Sequence, residues 1–211
     1  MTILPSIFAC ISAAKDIILA LSGVATATIA YVGLSRWRSE LRGRADFDAA
    51  RATAKAAYKL RDVLQGARSP FMSSAEFPEG YENNFTSPTP AERAKALAHA
   101  YQNRWAPVWE AIQELNALAL EAEILWGADA RAPIDALRGC ALELRIAMQE
   151  RIEDTARGSI AEQANPRRDE DTSARLWTGF PRDPNRLDEK IDKAIKDLDQ
   201  LLRPHLARAK S

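Results

Sequence analysis

The chain has 211 residues with 29 Lys+Arg and 29 Asp+Glu, so bulk charge favours no polyanionic partner. A hydrophobic content of 46% with 27% charged residues is that of a globular protein and excludes an intrinsically disordered chain. Only 7% of residues are aromatic, and the abundance of Ala, Leu, Arg and Glu favours helix, so we expect an all-α protein. Two cysteines, Cys10 and Cys140, form neither a disulfide framework nor a metal knuckle, which points to a reducing compartment.

The first predicted element is a transmembrane helix at residues 17–34. This run has no charge, proline or amide side chain and is about the minimum length that crosses a hydrocarbon core. Apolar residues also recur at helical spacing over 3–14, which predicts a short interfacial helix before the span. Residues 1–35 would then form a membrane anchor. A cleaved signal peptide and a fully buried core helix are the alternatives for the same run.

Basic residues directly after the predicted span set its orientation. Arg36, Arg38, Arg42 and Arg44 face only one acid there, Glu40. Cytoplasmic flanks of membrane helices carry the excess of Lys and Arg, so the N-terminus is expected outside and the C-terminal body in the cytoplasm. The four arginines are expected to contact lipid headgroups, and membrane lipid is therefore an expected partner.

The predicted span also carries a stripe of small residues on one helical face. Such stripes let two membrane helices approach closely, so we expect this face to mediate self-association and a homo-oligomer to be possible. The members of this small-residue stripe are Ser22, Gly23, Thr26, Ala30 and Gly33.

Residues 36–67 are rich in good helix formers and contain no proline, so the anchor helix is expected to continue into the cytoplasmic body, 36–211. Small and apolar residues alternate there in steps of three and four, which predicts an inward face suited to close packing. That face comprises Ala50, Thr53, Ala57, Leu60, Leu64 and Ala67.

Residues 68–89 have prolines and no helical period, which predicts a long connection. Its aromatic side chains are too many for a solvated coil, so we expect an ordered loop that packs on the bundle or binds a partner. The candidate partner-binding residues are Phe71, Phe77, Tyr81 and Phe85.

A capping box, Thr89 with Glu92, followed by Pro90 predicts the start of a helix over 90–126. Apolar residues in this segment follow alternating steps of four and three, the pattern of a helix packed at a shallow angle in a bundle. The predicted inward residues are Tyr101, Trp105, Val108, Ile112, Leu115, Ala119, Ala122 and Trp126.

Two further helices are predicted, at 133–157 and 184–203, each with one apolar face. The segment between them, 158–182, alternates charges and contains prolines, and it predicts a second long connection. The sequence therefore predicts one transmembrane helix that continues into a cytoplasmic antiparallel bundle of about four helices with two long ordered loops.

Motifs for catalysis and metal binding are missing from the sequence. His99 and His205 fit no zinc or di-iron spacing, and no phosphate-binding loop or nucleophile elbow occurs. Cys140 lies among apolar residues, which indicates a buried thiol rather than a nucleophile. No catalytic residue, metal ligand or cofactor is therefore expected.

These features favour a membrane-tethered helical interaction, scaffold or sensor module without catalytic turnover, binding an unknown protein partner. A membrane-perturbing, pore-type effector gated by its bundle is the alternative, because pore walls need self-association and some polar lining. A membrane-anchored enzyme of unknown class is the second alternative. Nucleic acid is not expected, since the basic segment lies beside the predicted membrane and its bases do not alternate with aromatics.

Overall fold

The structure, a computed structural model, describes residues 4–81, 88–158, 166–179 and 185–207. Within these ranges the side chains of 4–14, 16–18, 20 and 166 lie outside the description. The described part is all-α, with five helices and no strand, as the composition predicts. The chain divides into two compact units, Met1–Asp46 and Phe47–Ser211.

Helix α1 runs without interruption over Leu4–Ala67. The predicted interfacial helix, the predicted span and the first predicted body helix all fall on this one element. The glycines at 23, 33 and 43 do not break it, because a glycine in a helix interior costs only about 1 kcal/mol relative to alanine.

The second unit is an antiparallel bundle built from the end of α1 and from α2 (Pro90–Trp126), α3 (Arg131–Arg157) and α5 (Arg186–Ala207). Side-chain contacts give the order around the bundle. The Lys59 ammonium contacts the Glu114 carboxylate at 2.7 Å and joins α1 to α2, and the Tyr58 hydroxyl donates to Asp199 at 2.7 Å and joins α1 to α5. Helix α3 packs against both α2 and α5.

The predicted inward faces form the core of this bundle. On α1 all six predicted residues, from Ala50 to Ala67, are buried, which confirms the small-residue packing surface. On α2 the predicted face is buried except for Trp105 and Trp126, which are half-buried against the core. The period of the apolar residues therefore identified the packed faces, because a bundle helix can bury only one side.

A fifth helix, α4, occupies Pro166–Leu176, where the sequence predicts a connection. The prediction of a loop over 158–182 is wrong for these residues. Helix α4 packs on α3 through ion pairs, of which Arg175 with Glu150 at 2.7 Å and Arg151 with Asp169 at 2.9 Å are two. The alternating charges that suggested a long connection are thus partly contacts between two helices. Helix α5 also continues past its predicted end, through Pro204 to Ala207.

Among the helical residues whose side chains are described, no stretch is both long and apolar enough to cross a membrane. The side chains of 17, 18 and 20, which belong to the predicted span 17–34, lie outside that description. The transmembrane helix therefore stays a prediction from sequence.

Candidate interaction surface

A groove of about 540 Å³ opens on the outer side of the α2–α3 pair. Helix α2 contributes Trp105, Trp109 and Ile112 to it, and α3 contributes Gly139 and Leu142. The side chains of Trp109 and Leu142 are 53% and 60% exposed, although both are large and apolar. Contiguous exposed apolar surface on a well-packed bundle is typical of an interaction site.

Two arginines of α3 flank this groove with an excess of positive charge. Arg138 donates from Nη1 to Asp135 at 2.6 Å, and Asp135 also pairs with Arg131 at 3.3 Å, so this carboxylate is shared. The Arg145 guanidinium lies 5.3 Å from the centroid of the Trp105 ring. Arg145 has no carboxylate partner among the described residues, and the buried Nε of Arg138 has no hydrogen-bond partner there either.

Gly139 keeps the floor of the groove open. It lies in the interior of α3, and a Cβ atom added to it would meet no other atom within 4 Å. Close packing of the backbone therefore does not require a glycine at this position, and neither does its helical backbone conformation. The consequence of the missing side chain is space between the two apolar walls.

Arg68 forms the most buried polar cluster of the described chain, and its side chain is 0% exposed. The guanidinium forms an ion pair with Asp188 and donates to the main-chain oxygens of Arg175 and Trp177 at 3.0 and 2.8 Å. Burial lowers the pKa of the Arg68 guanidinium below its usual value, although Asp188 opposes this. The cluster joins the end of α1 to the end of α4 and the start of α5. The role of the cluster is structural, because each of the three guanidinium nitrogens donates to an acceptor of the protein itself.

A second arginine, Arg104 of α2, orders the first long loop. Its guanidinium pairs with Glu76 and donates to the main-chain oxygens of Ser69 and Phe71, each at 2.5 Å. The hydrogen bond from Arg104 also holds the pKa of the Glu76 carboxyl below its usual range. The described part of this loop is therefore tied to α2 through Arg104.

The predicted loop residues that the structure describes differ in their surroundings. Phe71 is 84% exposed, whereas the rings of Phe77 and Tyr81 stack on each other with centroids 5.3 Å apart. Phe85 lies outside the described residues. Partner binding through this loop stays a prediction.

The predicted membrane-contact residues of α1 are exposed. This holds for the four arginines, Arg36, Arg38, Arg42 and Arg44, and for the small-residue stripe. The hydroxyls of Ser22 and Thr26 donate to main-chain oxygens one turn earlier in the same helix, at 2.9 and 2.8 Å. A Cβ atom added to Gly23 or Gly33 would meet nothing within 4 Å.

One cysteine and two histidines are of the residue types that act in catalysis or bind metal ions. Cys140 is buried, and burial raises the pKa of its thiol to about 11, so the thiolate is disfavoured at neutral pH. His99 contacts the main-chain oxygen of Glu76 at 3.0 Å, and His205 stacks on Trp126. The described residues contain no cluster of three potential metal ligands.

The predicted inward faces do not indicate the groove, although the sequence contains apolar residues that could have indicated it. Trp109, Leu142 and Ile146 are large apolar residues that fall outside the predicted inward faces, and all three are exposed. Apolar residues on a second face of an amphipathic helix indicate a surface that another molecule covers.

Comparison of the chain with known protein families, curated proteins and solved structures finds no match.

Proposed function

We propose that this protein is a membrane-tethered interaction module in which residues 17–34 cross the bilayer and the helical bundle binds a protein partner in the cytoplasm. The observation that supports the binding role most directly is the groove between α2 and α3. Its tryptophans and leucine form an apolar surface on the outside of the bundle, and Ile112 lies buried beneath it. Binding rather than turnover is favoured because the groove combines aromatic and arginine side chains, the types that dominate protein interfaces.

The tether is supported by residues 17–34 and by their chemistry. The run has no acidic, basic or histidine side chain, and large apolar residues such as Val24 and Ile29 are 67% and 73% exposed in the first unit. The hydroxyls of Ser22 and Thr26 donate to their own helix, which is how such groups are tolerated in hydrocarbon. The arginines at 36, 38, 42 and 44 would then meet the anionic cytoplasmic leaflet.

Alkaline carbonate extraction and protease protection of membrane vesicles of known orientation test this topology. We expect the chain to stay in the membrane pellet and protease to digest the bundle only from the cytoplasmic side. Release by carbonate, or digestion from the opposite side, would contradict the tether or its orientation.

We further propose that the small-residue stripe is the contact between two anchors. Replacing Thr26 or Ala30 by Leu would block close approach of the backbones, so each change should weaken self-association by about 1 kcal/mol. Thr28→Leu is the matched control, because it makes the same substitution as Thr26→Leu at an exposed position on the opposite face of the helix. A two-hybrid assay for membrane helices measures the effect. Equal association of all three variants would show that the stripe makes no contact.

A further inference from the structure

We infer that the α2–α3 groove docks one amphipathic helix of a partner protein, with a large apolar side chain seated over Gly139 and carboxylates paired with Arg138 and Arg145. This inference rests on the proposed interaction function and specifies its partner. Three features of the groove support it.

The first feature is the shape of the site. A groove between two antiparallel helices, walled by Trp109 and Leu142, is the kind of surface into which a third helix lays its apolar face. Both side chains are more than half exposed in the free chain, so covering them removes apolar surface from water. A single helix is the simplest occupant of a straight groove bounded by two helices.

The second feature is the glycine. Gly139 is a poorer helix former than alanine in the interior of α3, and no contact within the described residues requires it. The space above it lies beside Leu142 and can receive a large side chain of a partner. No contact within the described chain therefore accounts for the glycine, whereas a partner side chain seated at this position would.

The third feature is charge complementarity. Arg145 has no carboxylate partner among the described residues, and the carboxylate that pairs with Arg138 also pairs with Arg131. Arg138 and Arg145 are two helical turns apart, about 10 Å along α3, and Gly139 and Leu142 lie between them. A partner helix that follows α3 would therefore carry acidic residues at i and i+7 with apolar residues between them.

The test uses the 211-residue chain in mild detergent and a fluorescent peptide of about 18 residues, which is long enough to form a helix. The peptide has Glu at i and i+7 and Leu at i+3 and i+4, and a second peptide has Lys in place of the two Glu residues. We expect fluorescence anisotropy to show binding of the Glu peptide at least about tenfold tighter than binding of the Lys peptide. Equal affinities, or no binding of the Glu peptide, would overturn the inference.

Variants locate the binding. Gly139→Leu fills the groove with a good helix former and should weaken binding about tenfold without lowering the melting temperature of the chain. Arg145→Glu should reverse the preference between the two peptides. Arg93→Glu, an exposed charge elsewhere on α2, is the matched control and should change nothing. If Gly139→Leu leaves the affinity unchanged, the peptide does not occupy the groove and the inference fails.

The other candidate occupant is a second copy of the chain. Analytical ultracentrifugation of the wild-type and Gly139→Leu proteins distinguishes it. A dimer that the substitution dissociates would overturn the partner-helix inference. Since peptide affinity is measured in detergent and the topology in vesicles, a failure of this inference is separable from a failure of the tether.

Discussion

At the scale of single residues, the buried arginine Arg68 shows how much a charge inside the bundle depends on its surroundings. The Arg68 guanidinium is surrounded by Asp188, the Asn185 amide oxygen and main-chain oxygens at the end of α4. Carbonyl groups at a helix C-terminus carry partial negative charge and favour a cation. The desolvation that lowers the pKa of Arg68 is therefore offset only while all these partners are in place.

Arg68→Leu should destabilise the protein by about 3 kcal/mol, because it leaves Asp188 and several carbonyls without their donor. Urea unfolding measures this loss. Arg157→Leu is the control, since Arg157 is 53% exposed and pairs with Asp154 on its own helix, so its removal should cost less than about 1 kcal/mol. Equal losses in the two variants would show that the buried cluster contributes no more than a surface pair.

Tyr101→Phe should stabilise the protein by about 1 kcal/mol at neutral pH. The Tyr101 hydroxyl is buried and has no hydrogen-bond partner among the described residues, so removing it removes a desolvation cost. Burial also raises the pKa of Tyr101 from 10.0 to about 12. The unfolded chain therefore loses this proton first as the pH rises, and the free energy of unfolding falls between about pH 10 and 12.

The Phe variant lacks this titration, so its advantage over the wild type should grow through the same pH range. Chemical denaturation at pH 7, 10 and 11 measures the difference, with the wild-type protein as reference. A lower stability of the Phe variant at neutral pH would mean that the hydroxyl has a partner in solution.

At the scale of elements, two glycines, one inside α3 and one at its end, have opposite effects on the stability of that helix. Gly139 lies inside α3 with open space around it, whereas Gly158 ends the same helix with φ at +83°. A positive φ with an extended ψ is a conformation that side chains other than glycine rarely adopt. Gly139 therefore lowers the stability of α3, whereas the backbone conformation at the C-terminal end of α3 requires Gly158.

Gly139→Ala should raise the free energy of unfolding by roughly 0.5–1 kcal/mol, because alanine is the better helix former and its Cβ meets no atom. Gly158→Ala should lower it by about 2 kcal/mol because of the strained backbone, although its Cβ would lie at an ordinary 3.6 Å from Pro90. Thermal unfolding of the two variants gives both signs. If Gly139→Ala destabilises, the groove floor is packed in solution.

At the scale of the whole molecule, the described core belongs to one unit. Every buried residue that the structure describes, from Ala49 to Leu202, lies within the unit Phe47–Ser211. The side chains described before residue 42 are exposed. Under the proposed function, residues 47–211 therefore form the folded bundle, and residues 17–34 tether the protein to the membrane.

A chain of residues 47–211 should therefore unfold cooperatively in urea, with a free energy of unfolding within about 0.5 kcal/mol of that of residues 1–211. Under the proposed function it should also leave the membrane pellet, because it lacks residues 17–34. Circular dichroism and membrane fractionation measure the two properties separately. Loss of cooperative unfolding would show that residues before 47 contribute to the core.

The sequence by itself determined the helical class and the buried faces. Thr89 and Glu92 form the predicted capping box at the start of α2, and the predicted faces of α1 and α2 line the core. These features follow from local hydrogen bonds and from a period of 3.6 residues, both of which neighbouring residues specify.

The tertiary structure decided which polar residues are buried and which apolar residues stay exposed. Arg68 is buried by partners about 107 to 120 positions away in sequence, and no local pattern distinguishes it from the exposed arginines before it. Helix α4 depends in the same way on Glu150 and Arg151 of α3, so its charges looked like those of a loop. The groove exists because Trp109 and Leu142 both line it only after α2 and α3 have packed together. That packing decides which face of each helix stays exposed to solvent.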